Sequence, residues 1–126
     1  DMEHDNLWNE EKVNENVVNI NSNKKDAYIT MQYSGRRFWL RGSMGPNYGD
    51  VDIILDDKKL CTVSLYHEKE IHDVIYYESP DNIKYGYHTL ELSNPSKKYI
   101  NIHKVHYDAI PENQGVIENL DGLINI

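Results

Sequence analysis

An antiparallel all-β sandwich is the fold class this 126-residue sequence predicts, and three observations carry the expectation. Short β-branched and aromatic runs succeed one another from Ala27 to Tyr107. Turn residues separate them about every 8–12 positions, the spacing of sandwiches and barrels. No stretch between them holds a helical period, and no unit repeats over roughly 20–50 residues, which disfavours a propeller or solenoid.

Taken in order, Val17-Val18-Asn19-Ile20 reads as a first strand. Ala27-Tyr28-Ile29-Thr30-Met31-Gln32-Tyr33 reads as a second, closed by turn chemistry at Ser34-Gly35. Arg37-Phe38-Trp39-Leu40-Arg41 follows and ends at Gly42. Val51-Asp52-Ile53-Ile54-Leu55 runs into Asp56-Asp57-Lys58-Lys59, a polar four-residue hairpin turn, and Leu60 to Tyr66 is the return strand. Asp73 to Glu78 stops at Ser79-Pro80-Asp81. His88-Thr89-Leu90-Glu91-Leu92 alternates after Gly86 and breaks at Ser93-Asn94-Pro95-Ser96. Tyr99-Ile100-Asn101-Ile102 runs on toward Val105 and Tyr107. That makes about eight strands. Beyond them Val116, Ile117, Leu120, Leu123 and Ile124 recur at helical spacing, but Pro111 and Asp121-Gly122 interrupt it. A short helix, an extra strand or a linker fits this tail, and a linker or packed extension is favoured.

Charge divides the chain the same way. Residues 1–26 hold seven acids and three lysines, residues 27–108 eleven acids and ten bases, and residues 109–126 three acids and no base. The expected organisation is an acidic N-terminal segment over 1–26 that includes the first strand, a sandwich core over 27–108, and a C-terminal extension or linker over 109–126. A net charge of −8 argues against nucleic acid or an anionic membrane as partner. No apolar run approaches the roughly 20 residues of a membrane span. Opening on Asp1-Met2 points to a processed product or an excised domain. The single cysteine, Cys61, excludes an intrachain disulfide framework and a Cys-based zinc site, and its apolar surroundings predict a buried, inert thiol.

The middle of the chain resembles a known family. Phe38-Trp39-Leu40-Arg41-Gly42, Gly45-Pro46-Asn47-Tyr48-Gly49, Val51-Asp52-Ile53-Ile54-Leu55-Asp56, Tyr85-Gly86-Tyr87-His88-Thr89-Leu90-Glu91-Leu92 and Ile100-Asn101-Ile102-His103-Lys104-Val105 fall in the order of the galactose-binding-like jelly-roll sandwich. Many carbohydrate-binding modules of glycoside hydrolases and surface proteins have that fold. The resemblance spans residues 27–107. It implies a non-catalytic module that tethers a larger secreted or surface protein to glycans, with neighbouring domains as further partners and an extracellular or cell-surface location. Where this chain has Asp57 the family usually has Gly, and where it has His103 the family often has Asp. The family's His at position 88 is usually structural.

The chemistry agrees with a binder more than an enzyme. No Gly-x-Ser-x-Gly elbow, phosphate loop, dinucleotide fingerprint or His-Glu-x-x-His occurs. The acid pairs Asp50/Asp52 and Asp56/Asp57 sit at strand ends and turns, where carboxylates are solvated caps. His103 and His106, three apart, point to opposite faces of a strand. His67 and His72 flank a loop with Glu68 and Glu70, where solvated histidines are the better expectation. Related modules often carry structural Ca²⁺ on oxygen ligands, but no Asp-rich loop marks such a site, so no cofactor and no metal ligand is assigned. On the strand around Trp39, period two puts Phe38 and Leu40 on one face and Arg37, Trp39 and Arg41 on the other. There Trp39 fits either a sugar platform or a structural cation–π stack. Sugar binding needs an aromatic face and polar groups, and the candidate contacts are Trp39, Arg41, Asn47, Tyr48, Tyr66 and His67. The alternative function is a protein–protein interaction or assembly module on the same scaffold.

Overall fold

One strand organises the molecule. In the computed structural model, which describes residues 2–4, 8–14, 17–109 and 114–117, β4 (Tyr28–Met44) is 17 residues long. Its first half pairs with β8 (Gly86–Ser93) and with β1 (Met2–His4), and its second half with β10 (Lys104–Ala109) and β7 (Ile71–Glu78). From β8 the sheet continues through β5 (Asp50–Leu55) to β6 (Lys58–Ser64), and from β10 to β11 (Gln114–Ile117). A smaller sheet runs β2 (Asn9–Asn14), β3 (Val17–Ser22) and β9 (Ile100–Ile102). All these pairings are antiparallel, and the described residues contain no helix. No helix among them is therefore long and apolar enough to cross a membrane.

The turn expected at Ser34-Gly35 is not a turn. Ile29, Met31 and Tyr33 are buried on odd positions, Phe38 and Leu40 on even ones. The chain passes straight between the two sets, with a register shift against β10 between Tyr107 and Ala109. Extra residues in one strand rotate it locally, so both halves turn their apolar side to one core. Gly35 sits at the junction, opposite both Gly86 and Ala109. A Cβ there would meet the Asp108 carbonyl oxygen at 2.3 Å, so only glycine admits the neighbouring backbone.

Other bounds differ in instructive ways. The β5–β6 hairpin turns on two residues, Asp56 and Asp57, rather than four, and Leu55 pairs directly with Lys58. Both turn residues have positive φ, 51° and 67°, the conformation of the tight hairpin whose twist matches its strands. The return strand accordingly covers Lys58–Ser64, leaving Tyr66 outside it in an isolated bridge to Gly45. Cys61, expected to be buried, is half-buried because β6 is the last strand of its sheet. The run from Tyr99 to Tyr107 is two strands, broken at His103. β1 and β2 precede the expected first strand. In the tail, 114–117 form β11, while Leu120, Leu123 and Ile124 lie outside the described residues.

The core lies between the layers. Phe38, Ile20, Ile29, Leu40, Ile53, Leu65 and Leu90 are wholly buried. Burying an aliphatic or aromatic side chain of this size stabilises by about 1.5–3 kcal/mol.

Candidate functional site

At the end of β4 the chain turns through Gly45–Gly49, and backbone hydrogen bonds hold this loop on two sides. The Gly45 amide donates to the Leu65 carbonyl (3.0 Å) and the His67 amide to the Gly45 carbonyl (3.2 Å). The Gly49 amide donates to the Tyr99 carbonyl (2.8 Å), and the Tyr99 amide to Asn47 (3.3 Å). Beside the loop a half-open cleft of about 350 Å³ is lined by Glu11 of β2, Asn21 of β3, Gly45, Pro46, Asn47, Tyr48, Glu70 and Tyr99. Tyr48 is packed into the core, whereas Tyr99 is 36% exposed. Two carboxylates, two amides and two phenol rings thus face one space without a cation among them. Such a surface offers hydrogen-bond acceptors and donors to hydroxyl groups and ring area to C–H faces.

The expected contacts are divided by the fold. Asn47 and Tyr48 line the cleft. Tyr66, 57% exposed, and His67 sit next to it through their bridge and hydrogen bond to Gly45. The His67 ring, however, is turned to its own loop, 3.0 Å from the Lys69 carbonyl. Trp39 and Arg41 lie elsewhere, on the outer face of β4, where Trp39 pairs with His106 and Glu78. Gly45 lies six residue steps along extended chain from Trp39, about 20 Å. The Arg37 guanidinium covers the Trp39 ring at 5.2 Å. Arg41 donates to the Asp73 carbonyl (3.0 Å) and from Nε to His106 Nε2 (3.3 Å). His88 is structural as the resemblance implied, its two nitrogens 2.7 Å from Asp56 Oδ2 and 2.7 Å from the Lys84 carbonyl. Burial would raise the Asp56 carboxyl, but the His88 and Thr89 hydrogen bonds and the His88 charge outweigh it and hold it below the usual carboxylate range.

Behind the cleft wall lies a polar cluster that the sequence did not disclose. Glu70 Oε1 is 3.1 Å from His72 Nε2, and His72 Nδ1 is 2.8 Å from Ser43 Oγ. Ser43 Oγ also lies 3.1 Å from His103 Nε2. The Asn101 side chain clamps Ser43 in place, accepting from its amide (2.7 Å) and donating to its carbonyl (2.8 Å). Ser43, His72 and Glu70 stand in the order of a nucleophile, base and acid. A hydrolase needs that hydroxyl open to substrate, but Ser43 is 0% exposed and shared with a second imidazole. His103 is 5% exposed, and burial outweighs the facing Asp73 carboxylate to push its pKa down to about 4. Among the described residues no three His, Cys, Asp or Glu side chains converge as metal ligands.

Comparison with known proteins places this geometry. The sequence matches no protein-family profile and no curated protein. Its structure is similar to that of an active site mutant of a family two carbohydrate esterase from Clostridium thermocellum, with a TM-score of 0.57 and 10% identity. That match covers 94% of this chain but 33% of the esterase chain, so the chain spans about a third of that protein's length. It is also similar to the CBM36-1 domain of a multidomain xylanase from the hindgut metagenome of Trinervitermes trinervoides, with a TM-score of 0.52 and 17% identity over 83% of this chain and 93% of that one. The fold is the galactose-binding-like β-sandwich. At such identities the likeness concerns the backbone architecture.

Of the cleft residues, Glu11, Asn21, Glu70 and Tyr99 were missed as contacts. They come from four separate segments, and only the pairing of β2, β3 and β9 in the smaller sheet, with the bridge between Tyr48 and Tyr99, brings them to one place. Glu70 alone carried a signal, through its position beside His72.

Proposed function

We propose that this protein is a non-catalytic carbohydrate-binding module that takes a glycan into the cleft between the Gly45–Tyr48 loop, Tyr99 and Glu70. The observation that carries the reading is the lining itself: phenol rings beside Asn21, Asn47, Glu11 and Glu70 in one half-open space. Binding is by ring contact and hydrogen bonds, with no covalent step. Asn47 and Tyr48 belong to this site, and Tyr66 and His67 stand beside it. Trp39 and Arg41 are assigned to the outer face, where the Arg37 guanidinium covers the indole and Arg41 is tied to Asp73 and His106. The module belongs to a larger secreted or cell-surface protein, which it tethers to polysaccharide, and the sandwich likeness to modules of polysaccharide-acting enzymes supports that.

Affinity gels with soluble xylan and soluble β-glucan, together with a glycan array, test the proposal. Asn47→Ala and Tyr99→Ala should each weaken retention about tenfold, equivalent to about 1.4 kcal/mol, with unchanged thermal midpoint. Trp39→Phe should leave retention intact. A flat response to every glycan at millimolar sensitivity overturns the reading, as does loss of binding on Trp39→Phe with none on Tyr99→Ala.

A further inference from the structure

Glu70, on the cleft wall, is the outer end of a chain of side chains that runs inward to an unfilled hydrogen-bond gap. The chain is Glu70, His72, Ser43, His103, with contacts of 3.1, 2.8 and 3.1 Å. At the inner end His103 Nδ1 faces Asp73 Oδ1 across 3.7 Å, and neither atom has a hydrogen-bond partner. Buried polar atoms are almost always paired, so two facing orphans call for an explanation.

Proton counting supplies one. Ser43 Oγ carries a single hydrogen and touches two imidazoles, so it donates to one and accepts from the other. Suppose both rings are neutral and His72 gives its Nε2–H to Glu70. Its Nδ1 then accepts from Ser43, Ser43 accepts from His103 Nε2–H, and the His103 Nδ1 lone pair is left against the Asp73 carboxylate. Reversing every bond gives Asp73 the His103 Nδ1–H, but it sets the His72 Nε2 lone pair against Glu70. A neutral chain bonds one end only. One proton from solvent, entering at the exposed His72, bonds both ends: His72 becomes an imidazolium, Ser43 donates to His103 Nε2, and neutral His103 donates from Nδ1 to Asp73. His103 then has the tautomer of the reversed neutral arrangement and never carries charge, in keeping with the burial that disfavours its charged form.

We infer that Ser43, His72 and His103 form a one-proton relay that decides whether the Glu70 carboxylate is pinned to His72 or free to accept a hydrogen bond from a ligand in the cleft. With the proton on, Glu70 is held by a charge-assisted bond. With it off, the chain turns toward the buried end, where an unmet hydrogen bond is costlier than at Glu70, which is 57% exposed. Glu70 is then released. The three are positioning residues, and the regulation of the cleft rests on the carbohydrate-binding reading. Other charges near the relay are the Arg41 guanidinium, 3.7 Å from Asp73 Oδ1 and itself on His106, and Glu11 across the cleft. Tyr76, whose buried phenol donates to the Asn101 carbonyl, stays neutral.

The test is a pH titration, from about 8 to about 5, of ring ¹⁵N and carboxyl ¹³C shifts in the ligand-free chain. The expected result is a common midpoint for His72 charging and the Glu70 carboxyl shift, with His103 holding Nδ1–H on both sides of it. In Ser43→Ala nothing accepts from His72 Nδ1–H, so neutral His72 should take Nε2–H against Glu70. Asp73→Asn places an amide donor against His103 Nδ1, so His103 should take Nε2–H instead and neutral His72 should turn its Nε2–H to Glu70. A neutral His72 that carries Nε2–H rather than Nδ1–H in the wild-type chain, or that keeps Nδ1–H in Ser43→Ala, overturns the relay. Retention on soluble xylan and β-glucan gels should fall as pH drops, and His72→Gln should flatten that profile; a pH-independent wild-type retention also overturns it. If no glycan is retained at any pH, the carbohydrate reading fails, while the ligand-free shifts still decide the relay.

Discussion

Asp57 holds a backbone conformation that favours glycine, with φ of 67°. Asp reaches this region more readily than most residues, yet some strain remains, so Asp57→Gly should raise stability by about 0.5 kcal/mol in urea melts. Its neighbour should behave oppositely. Asp56 also has positive φ, but its carboxylate accepts from the Thr89 amide at 2.9 Å and meets His88 at 2.7 Å, so Asp56→Gly should lose about 1 kcal/mol. His103 supplies a pH dependence of a definite sign. Burial lowers its folded pKa to about 4 from the ordinary histidine value of about 6.5, despite the pull of Asp73, while His72 and Arg41 also push it down. Between those values the unfolded chain binds more protons than the folded one. Stability should therefore be undiminished above about pH 6.5 and fall toward pH 4, by at most about 1.4 kcal/mol per unit. Urea midpoints across that range should show a shallower slope in His103→Asn. The Asp57 strain was legible from residue type alone. The His103 burial was not, because it depends on where β9 stops and on what packs over it from β4 and β7.

Among the elements, β4 shows both how far periodicity reaches and where it ends. Alternation correctly placed Phe38 and Leu40 inward and Arg37, Trp39 and Arg41 outward. It also placed Ile29, Met31 and Tyr33 in one strand. What it could not show is that an apolar phase shifting from odd to even positions can mean a twisted, continuous strand as well as a turn. Ser34-Gly35 has the composition of a turn, and only the neighbours on each side, Gly86 and Ala109, decide otherwise. The same limit hid the cleft, whose walls come from segments as far apart in sequence as Glu11 and Tyr99. Two glycines test the account of β4. At Gly35 an added Cβ would meet Asp108 backbone oxygen at 2.3 Å and carbon at 3.0 Å, neither of which yields without moving β10. Gly35→Ala should cost about 3 kcal/mol or prevent folding. At Gly86, directly opposite, the nearest atom is His88 Nε2 at 4.0 Å, so Gly86→Ala should stay within about 0.5 kcal/mol. Equal effects at both positions would mean that the strand does not run through as described.

Across the whole molecule, a strand shared by both halves of the main sheet couples their stability. β8, β5 and β6 reach the remainder of that sheet through residues 28–35 of β4, whereas β10, β7 and β11 reach it through residues 35–44. Neither group can leave without exposing one side of a strand whose inward residues, Ile29, Met31, Phe38 and Leu40, are at most 1% exposed. Independent melting of the two halves would expose that surface at a cost of about 1.5–3 kcal/mol for each of these side chains. Unfolding should therefore be a single cooperative step. The two tryptophans report on opposite ends of β4: Trp8 donates from its indole to the Tyr28 carbonyl at 2.7 Å, and Trp39 lies in the second half beneath Arg37. Trp8→Phe leaves fluorescence from Trp39 alone, and Trp39→Phe leaves it from Trp8 alone. Each variant's fluorescence melt in urea should coincide with its own far-ultraviolet circular dichroism melt, with the same midpoint and slope. A Trp8 signal lost at lower urea than the Trp39 signal, each referred to its own backbone transition, would show that the two ends of β4 come apart separately and that the strand does not tie the sandwich together.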